Sequence, residues 1–264
     1  MRSTIFLLST WVNNKLKLND DKTHLLIMTT KQKQRLVNIN IQINTNTEEI
    51  KPIKSGKLLG IVIQDDLKWG DYIQNNEKSL VKQLTSRLNA LKLIANVANF
   101  KTRLMIANGI FCSKLIFQIS LWGGTEDYLL NSLQIVQNKA ARCVARRGKY
   151  TPIEELLKQC GWLSVRQLVF FHSVVQIYKT IKTTYPKYIN SKLCMEFPYN
   201  TRLAQSDSVR MGDAFKSKLD LTEKSFMNRA TVSFNQLPQD LRKKKEIGAF
   251  KVELKKWILE NYKQ

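Results

Sequence analysis

Residues 127–147 read DYLLNSLQIVQNKAARCVARR, and this stretch decides the fold. Its apolar side chains recur at the three- and four-residue spacing of one helix face, at Leu129, Leu133, Val136, Ala140 and Val144. Glu126 and Asp127 place negative charge at its start, where the helix dipole favours it. The stretch therefore predicts a long amphipathic helix that buries one side in a helical core.

Helical spacing continues on both sides of this stretch. Before it, an apolar stripe predicts one long helix whose inward residues are Ile73, Leu80, Leu84, Leu88, Leu91, Ala95 and Ala98. A second helix, apolar on most sides, is predicted from Lys101 to Trp122, where Gly123 and Gly124 end it. After it, further helices are predicted at Pro152–Cys160, Ser164–Lys182 and Glu246–Asn261.

Two short motifs predict helix boundaries. In GWLSV, residues 161–165, Gly161 can adopt the left-handed conformation that ends a helix, and Ser164 can cap the next one. Trp162 and Leu163 lie between them and are expected to enter the core. FNQLP, residues 234–238, predicts a second boundary of this kind.

The first 68 residues have a different periodicity. Residues Thr4–Lys17 predict a short helix, and strands are predicted at His24–Thr29, Val37–Ile43 and Lys57–Ile63. The predicted fold is therefore mostly α with a small N-terminal α+β piece. We expect this piece at residues 1–68, a helical domain at 69–182, an irregular linker at 183–224 and a C-terminal helical tail at 225–264.

The formal net charge of +22 predicts a polyanionic partner, with nucleic acid as the first candidate. A membrane surface is not expected, because no run is long enough to span a bilayer and no lipid-binding segment is evident. The four cysteines are widely spaced and neither histidine lies near one, so no metal site is predicted. Reduced thiols and the lack of a signal-peptide cleavage site indicate an intracellular protein, in the cytoplasm or the nucleus.

The positive charge is concentrated around the stretch that decides the fold. Between Lys78 and Pro152 there are twelve Lys or Arg residues and only two acidic ones. A row of cations is predicted opposite the apolar stripe of the helix, at Lys139, Arg142, Arg146 and Lys149. A solvated helix face usually mixes both signs of charge, so the row favours contact with a phosphate backbone.

An ordered series of motifs runs through almost the whole chain, from Trp11 to Trp257. Its members are LKLNDDKT at 16–23, LGI at 59–61 with LKW at 67–69, QNKAAR at 137–142, GWLSV at 161–165, FNQLP at 234–238 and FK at 250–251. The series resembles the C-terminal part of a reverse transcriptase from a non-LTR retrotransposon of the jockey or CR1 kind. The resemblance implies a truncated palm edge followed by a helical, thumb-like bundle that holds template–primer duplex.

The resemblance also sets expectations about catalysis. The metal-binding aspartates of this family of RNA-directed DNA polymerases precede the motif at Trp11, so we expect no polymerisation by this chain alone and no cofactor in it. Mg²⁺ is expected only for the complete family enzyme. Lys22 occupies the lysine of the family's N-x-x-K-T motif and is a weak candidate for a general acid. The pairs Asp20–Asp21 and Asp65–Asp66 are predicted to be turn or helix-cap residues.

Three functional hypotheses follow from the sequence. The first is a fragment that binds RNA–DNA duplex or other nucleic acid through its basic helical surface without polymerising. The second is the C-terminal portion of an active polymerase whose palm is supplied upstream or by another chain. The third is a helical module that binds an acidic protein. In each case a protein partner could cover the edge of the truncated palm.

Overall fold

The computed structural model describes residues 24–28, 43–44, 49–50, 52–194, 209–211 and 220–262. The chain is mostly helical, with a small strand region near the N-terminus, as the sequence predicted. It divides into two compact units, Met1–Tyr72 and Ile73–Gln264. The predicted helix Thr4–Lys17, most of the predicted strand Val37–Ile43 and the candidate Lys22 lie outside the described residues.

The described part of the first unit consists of short paired strands. The parallel pair is β1 (Leu25–Leu26) with β4 (Pro52–Ile53), and the antiparallel pairs are β2 (Ile43–Asn44) with β3 (Glu49–Ile50) and β5 (Ser55–Leu58) with β6 (Ile61–Gln64). β1 lies within the predicted strand His24–Thr29. Within the described residues of this unit, these strands form separate two-stranded pairs.

The prediction of one continuous strand from Lys57 to Ile63 is wrong. The chain reverses at Leu59 and Gly60, and Leu58 pairs with Ile61 across the turn. Both turn residues have positive φ, 48° and 87°, as tight two-residue hairpins require, and Gly60 adopts this conformation without steric cost. Leu59 is 87% exposed at the tip, so an apolar run that looked like strand interior is a solvent-facing turn.

Asp65 and Asp66 form a turn after β6, which confirms the prediction for this pair. The backbone N–H of Asp65 donates to the carbonyl oxygen of Lys54 at 2.9 Å. A carboxylate oxygen of Asp66 accepts a hydrogen bond from the Lys68 backbone N–H at 3.0 Å. This is the local side-chain-to-backbone bonding that makes aspartate common in turns.

The second unit is helical. Its longer helices are α1 (Leu80–Ile94), α2 (Phe100–Ala107), α5 (Asp127–Ala145), α6 (Ile153–Cys160), α7 (Val165–Thr183), α10 (Phe226–Asn235) and α12 (Ile247–Asn261). Its short helices are α3 (Ser113–Leu115), α4 (Ile119–Trp122), α8 (Lys187–Asn190), α9 (Asp220–Glu223) and α11 (Gln239–Arg242), and β7 (Leu193–Cys194) pairs with β8 (Arg210–Met211). None of the helices in the described ranges combines the length and the apolar character that a membrane crossing needs.

The predicted long helix from Ile73 to Ala98 is interrupted. Ile73 belongs to a π-helical turn, Asp71–Asn75, and the extended residue Ser79 precedes α1. The stripe within α1 is as predicted, because Leu80, Leu84, Leu88 and Leu91 are all buried. An apolar period alone therefore locates the buried face but does not show where a new helix begins.

The predicted helix from Lys101 to Trp122 is also interrupted. After α2 the chain continues through a π-helical turn, Asn108–Cys112, and α3, and then breaks at Gln118. Gln118 has a φ of 54°, in the left-handed region that only glycine and a few polar residues enter readily. Glutamine gives no sequence signal for such a break.

The stretch that decides the fold forms α5, and all five predicted inward residues are buried. The GWLSV boundary is also confirmed. Gly161 ends α6 with a φ of 65°, and Trp162 and Leu163 are buried. Ser164 and Gln167 cap α7 reciprocally, since each side chain bonds the other residue's backbone N–H.

A second core joins α7 to the C-terminal helices. Phe250 and Leu254 of α12 are fully buried in it, and the Phe250 ring stacks on Tyr178 of α7 with 3.7 Å between centroids. The predicted boundary at residues 234–238 separates α10 from α11. Val209 and buried side chains of α10, α11 and α12 therefore share a core with α7, while the division into four segments stays a prediction.

Arg103 of α2 fixes the ends of two other helices. It is buried, and its Nε donates to the carbonyl oxygen of Val144 in the last turn of α5 at 2.7 Å. Its Nη1 donates to the carbonyl oxygens of Ala95 and Ala98, just after α1. One guanidinium thus satisfies carbonyl groups that helix ends leave without partners.

Replacing Arg103 with Met is expected to destabilise the protein by about 3 kcal/mol, because it leaves buried carbonyl oxygens without donors. Urea denaturation measures the change. Lys101→Met, on the same helix but exposed, is the control and should change the free energy of unfolding by about 0.5 kcal/mol or less. Similar small losses in both variants would contradict this role of Arg103.

Candidate nucleic-acid interface

Only part of the predicted row of cations lies on the helix. Lys139 is exposed on α5, and Arg142 is half-buried one turn later. α5 ends at Ala145, and Arg146 caps it in the left-handed conformation with a φ of 51°. The prediction that Lys149 continues the helical row is therefore wrong, because the backbone leaves the helix before reaching it.

Four of the twelve basic residues between Lys78 and Pro152 have partners within the protein, and one of these, Lys92, donates to the side-chain oxygen of Asn89 at 3.4 Å. Arg103 is buried against helix ends, and Nη1 of Arg87 donates to the carbonyl oxygen of Ile110. The ammonium group of Lys114 lies 5.4 Å from the centre of the Phe117 ring. These side chains help to hold the fold, so the number of cations in the sequence overestimates the charge offered to a partner.

A larger group of cations surrounds the joined ends of α1 and α5. We call it the basic cluster, and its members are Lys92, Lys101, Lys139, Arg142, Arg146, Arg147 and Lys149. All are exposed except Arg142, which is half-buried. Arg103 joins the segments that carry them, and Lys92 on α1 is close enough to act electrostatically on Cys143 of α5.

The basic cluster is followed in sequence by two exposed acids, Glu154 and Glu155 in the first turn of α6. Within the described ranges, none of its members forms an ion pair with a carboxylate. The two acidic residues between Lys78 and Pro152 lie at the other end of α5 and have other partners. Asp127 pairs with Arg166, and Glu126 pairs with Lys224 at 3.1 Å. The ends of α5 are about 27 Å apart, and charges interact over about 8 Å at physiological salt.

Tyr150 is a feature of this surface that the sequence analysis missed. It follows Lys149 in the loop between α5 and α6, and 96% of it is exposed. A base can stack on an exposed aromatic ring, and rings among cations are typical of surfaces that bind nucleic acid. The adjacent RRGK segment, residues 146–149, was the available signal.

Cys112 and Cys160 are not activated nucleophiles. Burial, together with the nearby Cys160, raises the pKa of Cys112 to about 12. Burial also raises the pKa of Cys160 to about 11. Both thiols are therefore protonated at neutral pH and unreactive. Within the described ranges, no group of three or more His, Cys, Asp and Glu residues is placed to hold a metal ion.

Comparisons of this chain with protein families, with curated proteins and with solved structures found no match.

His172 of α7 should make stability depend on pH. Burial lowers its pKa below the ordinary 6.5, and the positive charges of Lys251 and Lys179 lower it further. Below pH 6.5 the unfolded chain therefore binds a proton at His172 more readily than the folded chain does. The contribution of neutral His172 to the free energy of unfolding is complete above pH 6.5 and is lost as the pH falls through the pKa of His172 in the folded state.

We expect His172→Gln to reduce the loss of stability on acidification, as measured by urea denaturation at about pH 7.5 and about pH 5.5. Carboxylates also titrate in this range, so the informative quantity is the difference between the variant and the unsubstituted chain. An identical loss of stability in both proteins would show that His172 has the same pKa in the folded and unfolded states.

Proposed function

We propose that this chain is the palm end, thumb and tail of a reverse transcriptase of the non-LTR retrotransposon kind, and that it binds RNA–DNA duplex or other nucleic acid. In this proposal the helices of residues 73–182 form the thumb-like bundle, and the basic cluster is the contact surface. The observation that carries the proposal is the concentration of cations without paired acids where α1 and α5 end. The ordered motifs of the sequence support the family origin.

The cluster suits phosphate groups better than base edges. Its cations come from three helices, α1, α2 and α5, and from the loop after α5, so they form a broad surface instead of one element that could enter a groove. Contacts of this kind position a backbone and release counterions but do not read sequence. Binding should therefore depend strongly on salt and weakly on sequence.

The loop after α5 is suited to the same partner. Gly148 has open space around the position of a Cβ atom, so the backbone there is accessible. Arg146, Arg147 and Lys149 flank it and are all exposed. Some cations elsewhere have protein partners, as in the ion pair of Lys244 with Glu253 at 2.8 Å.

Charge reversal tests the surface. In the triple variant Lys139→Glu, Arg147→Glu, Lys149→Glu we expect the affinity for an RNA–DNA duplex to fall by roughly tenfold or more at physiological salt. We also expect the slope of log affinity against log salt to decrease by about 0.9 for each phosphate that the variant no longer neutralises. Fluorescence anisotropy of a labelled duplex over a salt titration measures both.

The matched control is Lys187→Glu, Lys245→Glu, Lys256→Glu. It changes the net charge equally at exposed positions on or near α8 and α12, outside the basic cluster. Equal weakening in both triple variants would mean that only net charge matters and would contradict a defined interface. Affinity of the unsubstituted chain that does not change with salt would contradict phosphate binding altogether.

A further inference from the structure

A cavity of about 340 Å³ lies in the second unit at the N-terminal end of α5. The loop between α4 and α5, the first turns of α7, the segment from α9 to α10 and Tyr262 after α12 line it. The basic cluster lies at the opposite end of α5, so none of its residues contributes to the cavity.

Arg229 of α10 is the unusual residue of this cavity. Its Nη2 donates to the carbonyl oxygen of Ser120 at 2.7 Å, but Nε and Nη1 are buried without any hydrogen-bond partner. The other lining cations have carboxylate partners, because Arg166 pairs with Asp127 and Lys224 pairs with Glu126. Among the described lining residues, Arg229 is thus the cation without a carboxylate partner.

A guanidinium with two covered nitrogens that lack hydrogen-bond partners is unfavourable. Buried polar groups are almost always hydrogen-bonded, and buried charges are almost always paired. Burial lowers the pKa of Arg229, and the lowering, which Tyr262 partly offsets, brings it to about 10. The group therefore still carries its charge at neutral pH, and a negative partner would stabilise it.

We propose that the cavity binds a small oxyanion, the carboxylate or phosphate group of a ligand, with Arg229 as its counter-charge. The backbone at Gly124 lies close to the backbone of Lys224 and to the side chain of Arg229. A Cβ atom on Gly124 would lie 2.0 Å from the Lys224 carbonyl oxygen and 3.4 Å from Nε of Arg229, so only glycine fits there. α5 begins three residues later, and its dipole adds positive potential at this end.

Nε and Nη1 of Arg229 are covered by protein atoms, so the anion meets the guanidinium from the cavity side, where Arg229 is among the lining residues. A volume of about 340 Å³ accommodates a group of few heavy atoms and not a folded partner. The site and its ligand do not depend on nucleic-acid binding.

Thermal unfolding of the chain in sodium phosphate, sodium acetate and sodium chloride at equal ionic strength tests the site. We expect one of the two oxyanions to raise Tm saturably, by about 4 °C at about ten times its Kd, relative to chloride. A response to phosphate identifies a phosphate group as the ligand, and a response to acetate identifies a carboxylate. Arg229→Gln keeps a donor for Ser120 but removes the charge, and it should abolish the rise.

A control is needed because any anion screens a protein of net charge +22. Lys187→Gln removes one exposed charge on α8, outside both the basic cluster and the cavity lining, and should keep the full rise in Tm. Equal rises in Arg229→Gln and Lys187→Gln would overturn the proposal. If Arg229→Gln does not fold, isothermal titration of phosphate and acetate into Lys187→Gln decides, and the lack of a saturable one-to-one isotherm for both anions overturns it.

Discussion

The guanidinium of Arg103 ties together three segments that are separate in sequence. It bonds carbonyl oxygens at the end of α5 and just after α1, while its own backbone belongs to α2. Carbonyl groups at helix ends carry negative partial charge, so a cation between two such ends satisfies both their hydrogen bonds and their dipoles. Because these ends meet at Arg103, the exposed cations that follow or precede them are concentrated on one surface.

The positive residues of this chain therefore have two different roles. Arg87 and Arg103 bond to backbone carbonyls in the interior, which is favourable for a planar group with several donors. Arg147 and Lys149 are exposed and have no described carboxylate partner. Sequence alone does not separate these roles, since it shows charge but not the carbonyl groups that a folded backbone presents.

How far the sequence predicts the structure depends on the kind of signal. The buried faces of α1, α5 and α12 follow from apolar spacing, and the end of α6 follows from Gly161, because these signals are local. The breaks at Leu59 and Gln118 depend on positive φ at residues that rarely adopt it, so no local pattern predicts them.

The candidate sites show the same division between local signals and tertiary packing. Lys139 could be placed on α5 from helical spacing, but the hydrogen-bonding state of Arg229 depends on tertiary packing against Ser120, which is distant in sequence.

The helix dipole alone does not account for the basic cluster. Cations near a helix C-terminus are stabilising, but the effect falls off within the last turn. Arg142 and Arg146 are within that range of the end of α5, whereas Lys139 lies further back and Lys149 lies beyond the helix. At the N-terminal end of the same helix, Glu126 and Asp127 are each paired with a cation. An intramolecular optimum would pair both ends, so the unpaired charge at one end favours a partner that brings its own negative charge.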